Sequence, residues 1–306
     1  MTKPLSLVTG AAGFIGSNLV DYLLEQGHSV ICVDNESANN EKFHWIFMDR
    51  RVINIKADIT DYKSMKNIFT GVDYVFHLAA ESRLQSAIQN PIEAVKKNCV
   101  GTTVMLQCAR EAGVKRFVYS STSSGYGNNP YPNVETQPDD CLNPYSASKI
   151  AGEKFCKMYT DLYGLETVVL RYFNVFGDRS PQRGQYAPVI GIFQRQRDAG
   201  EPLTIVGDGS QRRDFVHVED VARANYLASI MPLQRWGHDY TGDLFNVGSG
   251  KNYSIKQIAD AISDDQIFIP KRDGEMETTL ADITKIGEVI GWKPEIDVIN
   301  WIHGQK

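Results

Sequence analysis

The stretch LSLVTGAAGFIGSNL, Leu5 to Leu19, decides the fold. A short apolar run stops at a glycine, two more glycines follow at three-residue spacing, and helical periodicity takes over at once. Gly10, Gly13 and Gly16 permit a tight turn and close backbone approach. The helix that follows, predicted from Phe14 to Gln26, turns free N–H groups and the positive end of its dipole toward whatever lies over the loop. A glycine triplet alone is also an ordinary strand-to-helix turn, so its surroundings matter. The next apolar run, VICVD, ends at Asp34, about 20 residues on, where a carboxylate accepts bonds from an adenosine ribose in a dinucleotide fold. An acid there repels a 2′-phosphate, and DNESANN offers no compensating arginine, so NAD is preferred over NADP.

Outward from this unit the same grammar repeats. HSVICVD, RVINIKAD, DYVFHLAA, RFVYSST and ETVVLRYFNV are apolar runs separated by longer helical patterns. That alternation predicts βαβ units and an α/β fold with a doubly wound parallel sheet covered on both faces. Asp58, after the third run, reaches the adenine or simply makes a turn. After LRYFNVFG the alternation weakens and loops lengthen without a Gly/Ser linker or a repeat. We expect a dinucleotide-binding domain over 1–173 and a smaller, interleaved C-terminal substrate-binding domain over 174–306.

LNPYSASKIAGEKF reads as a helix start, with Asn143 as cap and Pro144 in the first turn. Tyr145 and Lys149 then stand one turn apart on one face, where an ammonium could stabilise a phenolate and lower the tyrosine pKa toward use as a base. Just before lies YSSTSSGYGN, Tyr119 to Asn128, delivered by the fifth run to the carboxyl edge of the sheet, where open α/β folds bind ligands.

Taken together, Gly-x-x-Gly-x-x-Gly, HLAA at 77–80 and Tyr-x-x-x-Lys resemble the extended, nucleotide-sugar-modifying branch of the short-chain dehydrogenase/reductase superfamily, over almost the whole chain. The resemblance implies an enzyme with NAD as cofactor, held by Gly10, Gly13, Phe14, Ile15, Gly16, Asp34, Asn35, Asp58, Ile59, Leu78, Ala79, Ala80, Tyr145, Lys149 and Tyr172. Tyr172 is equally readable as core. It makes Thr122, Ser124, Tyr145 and Lys149 the catalytic set, with Thr122 on the sugar hydroxyl that is oxidised. Ser82, Ser123, Asn174, Arg213, Arg272, Glu275 and Thr279 become contacts to a UDP-sugar, arginine suiting the diphosphate and a carboxylate the ribose. Relatives that dehydrate the sugar resemble one another in an acid directly after the threonine; Ser123 and Ser124 stand here, which favours 4-epimerisation. Glu81 in HLAAES pulls toward the dehydratases. In 4-epimerases of this kind the position of Thr279 lies over C2 of the sugar, and a small residue admits an N-acetyl group. Rival readings are a 4,6-dehydratase or a UDP-glucuronate decarboxylase of the same branch, and a non-catalytic NAD sensor, against which the intact Thr122, Tyr145 and Lys149 argue.

Composition restricts the partners. A net charge of -5 over 306 residues, without a basic run, gives no nucleic-acid or membrane-surface signal. No metal site is suggested, since the five cysteines lack CxxC spacing, and their odd number closes no disulfide framework. The N-terminus enters a strand at once, leaving no room for a signal peptide, so a cytoplasmic protein is expected. A homodimer follows from the resemblance, through helices near Pro91–Ala112 and Tyr145–Leu162.

Overall fold

The apolar runs fold into the strands they predict. In the computed structural model, which describes residues 3–37, 49–182, 187–235, 237–270 and 277–305, six come first: β1 (Leu5–Thr9), β2 (Ser29–Asp34), β3 (Val52–Lys56), β4 (Tyr74–His77), β5 (Arg116–Thr122) and β6 (Thr167–Tyr172). They pair in the order β3-β2-β1-β4-β5-β6, all parallel, with Thr9 opposite His77 and Thr122 opposite Tyr172. This is a doubly wound sheet, and its order reverses between β1 and β4, where ligands of such sheets bind. β6 is buried throughout and β5 from its second residue on, as strands covered on both faces must be.

One face is covered by the helices Phe14–Glu25 and Val218–Ile230, whose Leu19, Leu23, Val221 and Ala224 pack with Phe245, Ile286 and Trp292. The other is covered by Thr102–Ala112 and Pro144–Tyr163, through Met105, Leu106, Cys156 and Tyr159. Asn143 caps the second of these in a reciprocal capping box with Ser146. The run from Pro91 to Ala112 is not one regular helix: a π turn over Lys96–Gly101 interrupts it.

The chain then alternates between the sheet and a smaller body. β7 (Asn174–Phe176), β8 (Leu203–Val206) and β9 (Arg212–His217) precede a short ribbon of β10 (Gln234–Arg235) and β11 (His238–Asp239). β12 (Asp243–Val247) returns to the main sheet beside β6; β13 (Asn252–Ser254) joins β9 and β7, and β14 (Gln266–Ile269) pairs with β8. The smaller body has its own core of Phe176, Phe193, Ile205, Phe215, Ile258 and Val298. Among the described residues no helix is long and apolar enough to cross a membrane.

Candidate active site

The glycine loop is closed by contacts only glycine allows. Gly10 has φ 69°, and a Cβ on it would meet the Ala79 amide nitrogen at 2.8 Å; a Cβ on Gly16 would sit 2.1 Å from the Gly10 carbonyl oxygen. Loop, helix start and HLAA segment are therefore pressed together. The helix from Phe14 begins without a side-chain cap or an acid in its first turn, which leaves its amides to a ligand. Asp34 reaches the same loop. Its carboxylate accepts the Ala12 amide at 3.0 Å and the Glu36 amide at 2.7 Å, and burial raises its pKa against the pull of those bonds. Asn35 and Asp58 stand exposed beside it, with Asp58 accepting from the amide and hydroxyl of Thr60. Ile59 is buried in the core, and Ile15 packs against the opposite cluster. This donor set fits NAD: unshared amides for a pyrophosphate and a carboxylate with spare lone pairs for a ribose.

Leu78, Ala79 and Ala80 lead from β4 over the sheet edge, half-buried. Glu81 follows, and two links tie its position down. Its backbone exchanges bonds with the side chain of Asn98, at 2.7 and 3.0 Å, and its carboxylate pairs with Lys97 at 3.2 Å. Asn98, inside the π turn, also donates to the Ser148 hydroxyl at 2.9 Å, and Ser148 in turn donates to the Tyr145 carbonyl. Ser82 is exposed.

Thr122 ends β5 and caps the 3-10 turn Ser123–Tyr126, accepting the Ser124 amide at 3.1 Å. Ser123 and Ser124 are half-buried beside it. Thr122 lies near enough to Tyr145 to pull its pKa down. The expectation that Lys149 lowers the Tyr145 pKa is corrected: burial raises it, and Thr122 only opposes the rise. Lys149 lies instead over the Tyr119 ring, 4.3 Å from its centroid, and burial pulls its pKa down to about 8. Tyr172 is buried, its hydroxyl shared between Ser120 at 2.8 Å and Asn225 at 2.9 Å.

The turn that holds Ser123 and Ser124 rests on a buried charge cluster absent from the sequence reading. Arg171 grips Glu153 through Nε at 2.8 Å and Nη2 at 2.7 Å, and Nη2 also reaches Asp139 at 2.7 Å. Ser121 donates to Glu153, and the Asp140 amide donates to the Gly125 carbonyl, so the cluster fixes both ends of the turn.

Asn174, Arg213 and Thr279 come together in the smaller body. Asn174 donates to the Asp214 carbonyl at 2.9 Å and to the Thr279 hydroxyl at 3.2 Å; Arg213 reaches the carbonyls of Arg212 and Glu277. Asp214, another residue the sequence reading missed, accepts the amides of Ser249, Gly250 and Ala281 and the Ser249 hydroxyl. Its signal was an acid inside the otherwise apolar strand DFVH. Arg272 and Glu275 lie outside the described residues.

A family model described as the NAD dependent epimerase/dehydratase family matches residues 6–248. The chain is 36% identical to a putative UDP-glucose 4-epimerase of Methanocaldococcus jannaschii, over 97% of each. A crystal structure of a UDP-glucose 4-epimerase from Thermotoga maritima with UDP-glucose superposes with a TM-score of 0.90 at 34% identity, covering 98% of this chain and 96% of that one. A UDP-N-acetylglucosamine 4-epimerase from Methanobrevibacter ruminantium, in complex with UDP-N-acetylmuramic acid, gives 0.87 at 32% over 100% of both.

Proposed function

Because the chain belongs to the NAD-dependent epimerase/dehydratase family, we propose that it is the 4-epimerase its neutral hydroxyls favour, interconverting UDP-glucose with UDP-galactose and UDP-N-acetylglucosamine with UDP-N-acetylgalactosamine. The observation that carries this reading is the neutral pair Ser123 and Ser124 in the turn that Thr122 caps, with Glu81 committed to Lys97. Expelling water would need a second acid and base near the sugar, and the carboxylate offered by HLAAES is paired elsewhere.

NAD, held by the glycine loop and Asp34, supplies a reversible partner for the C4 hydride. Tyr145 takes the C4 hydroxyl proton and returns it, and Thr122 orients that hydroxyl. Ser124 holds the 4-keto sugar loosely enough to turn over. Lys149 supplies the positive charge of the site. Asn174, Arg213, Arg272 and Glu275 hold the nucleotide diphosphate, Ser82 and Ser123 the sugar side, and Thr279 leaves room at C2. We assign cofactor binding to 1–173 and the nucleotide-sugar grip to 174–306, with 218–230 and 243–247 lent back to the sheet.

We further infer a homodimer and a cytoplasmic setting. All five cysteines are free thiols, which suits a reducing compartment. Ile88, Ile92, Val95 and Val100 stand exposed along 84–101, Leu142 just before the Tyr145 helix, and Met158 and Leu162 on it, an apolar surface suited to a second copy.

Purified protein is incubated with each UDP-hexose without added reductant, and the products are identified by NMR. Galacto products establish the reading. A keto-deoxy sugar would make the protein a dehydratase, and protein that binds NAD without turnover would make it a sensor.

A further inference from the structure

A file of buried polar side chains, which the mechanism above does not use, runs from the loop after β4 to the Lys149 turn. Thr9 ends β1, His77 ends β4, Thr102 opens its helix and Tyr119 lies within β5, and none is more than 1% exposed. The direction of each bond can be worked out. Thr9 Oγ1 accepts the amides of Ala79 at 3.1 Å and Leu78 at 3.2 Å. Amides only donate, so the Thr9 hydroxyl proton is left for His77 Nδ1, 2.8 Å away. Nδ1 is therefore bare and the ring proton sits on Nε2, which donates to Thr102 Oγ1 at 3.1 Å. The Tyr119 ring lies tilted against the His77 ring, centroids 5.9 Å apart, and its hydroxyl donates to the Lys149 carbonyl at 3.1 Å.

Two further observations fit this order. A Cβ on Gly152 would sit 2.2 Å from the Tyr119 hydroxyl oxygen, so a glycine in the helix is the condition for the Tyr119–Lys149 bond. Burial, with Lys149 adding to it, pulls the His77 pKa down to about 3, and a neutral ring keeps one donor and one acceptor.

We propose that Thr9, His77 and Thr102 form a proton-ordered hydrogen-bond chain that fixes the Leu78–Ala80 loop over the helix Thr102–Ala112, with His77, backed by the Tyr119 ring, as a positioning residue whose Nε2–H tautomer sets the direction. Its consequence for turnover rests on the function proposed above. Its existence does not.

The test is long-range proton–nitrogen NMR on the 15N-labelled holoprotein. A neutral His77 ring, protonated on Nε2 and unchanged between about pH 5 and 8, is expected. Its signal is the one lost in His77→Gln or, should that variant not fold, the one moved by Thr102→Val. Thr102→Val, which deletes the acceptor at constant shape, is expected to lower kcat about tenfold with little change in KM for UDP-glucose, and Thr102→Ser to restore it. An Nδ1–H ring, a ring that titrates in this range, or wild-type kcat in Thr102→Val overturns the proposal. Wild-type protein that converts no UDP-hexose overturns the proposed reaction, and the tautomer still decides this one.

Discussion

The Asn98 side-chain amide lies 2.9 Å from the Ser148 hydroxyl, and through it the loop carrying Glu81 is bonded to the first turns of the Tyr145 helix. Asn98 does this from within the π turn Lys96–Gly101, a local widening that faces the amide toward both partners. Replacing it by leucine keeps the volume, strands the Glu81 amide and the Glu81 carbonyl, and takes from Ser148 the donor to its hydroxyl. A buried unsatisfied group costs ~1–3 kcal/mol, so urea unfolding of Asn98→Leu is expected to shift by about that much. An unchanged midpoint would show that the link holds nothing.

Lys149 allows a test of pH dependence. Burial lowers its pKa from 10.5 to about 8, so the folded protein carries the cost of a buried ammonium at neutral pH. The unfolded state binds more protons between about pH 8 and 10.5, so this group's contribution to stability rises with pH through that window and its full penalty stands below it. Lys149→Met is therefore expected to melt higher than wild type at pH 7, with the difference shrinking as pH climbs toward 10, while turnover is lost. Thermal melts across that pH series check the sign. A variant that melts lower at pH 7 would mean that the stack on Tyr119 outweighs desolvation.

The Arg171 cluster makes the opposite prediction. Arg171 is 1% exposed and bonded to two carboxylates, so Arg171→Met leaves Glu153 charged, buried and without its partner. Breaking a buried pair from one side costs roughly 3–5 kcal/mol, whereas removing both members is often close to neutral. The double variant Arg171→Met, Glu153→Leu is expected to recover most of what the single one loses. A denaturation cycle over the four proteins measures this, and additive losses would refute the coupling.

These two clusters also mark where sequence reading ends. The glycine turn, the strand end at Asp34 and the helix that carries Tyr145 and Lys149 were legible because each depends on a local rule: a turn that needs glycine, an apolar run, a capped helix start. Asn98 and Ser148 are 50 residues apart, and Asp214 and Ala281 67 apart; no periodicity brings such partners together, and only the crossover topology does. Burial was the other blind spot. Spacing put Lys149 near Tyr145, but the ammonium stacks on Tyr119, a strand residue whose ring becomes available only after the helix packs on the sheet.

Exposed apolar side chains on two neighbouring segments predict the assembly. Ile92 is 81% and Leu162 67% exposed, values that a solvated helix face seldom carries together. The double variant Ile92→Glu, Leu162→Glu is expected to run as a monomer in light scattering where wild type runs as a dimer. Wild type that is already monomeric would remove the dimer from the reading.

Thr279 tests the sugar pocket. Its side chain is 4% exposed, and its hydroxyl accepts from the Asn174 amide and the Asp214 backbone, both at 3.2 Å, so it is folded back into the smaller body. A tyrosine cannot occupy that slot, and on the function proposed above its ring would extend toward C2 of the sugar, where an N-acetyl group would lie. Thr279→Tyr is therefore expected to lower kcat/KM for UDP-N-acetylglucosamine roughly 10–100-fold more than for UDP-glucose, the scale at which a pocket wall discriminates by size. Thr279→Ser keeps both hydrogen bonds and is expected to leave the ratio alone, which separates pocket volume from lost bonding. Equal losses on both substrates in Thr279→Tyr, or a shifted ratio in Thr279→Ser, would mean that Thr279 acts through Asn174 and Asp214 rather than through the room it leaves.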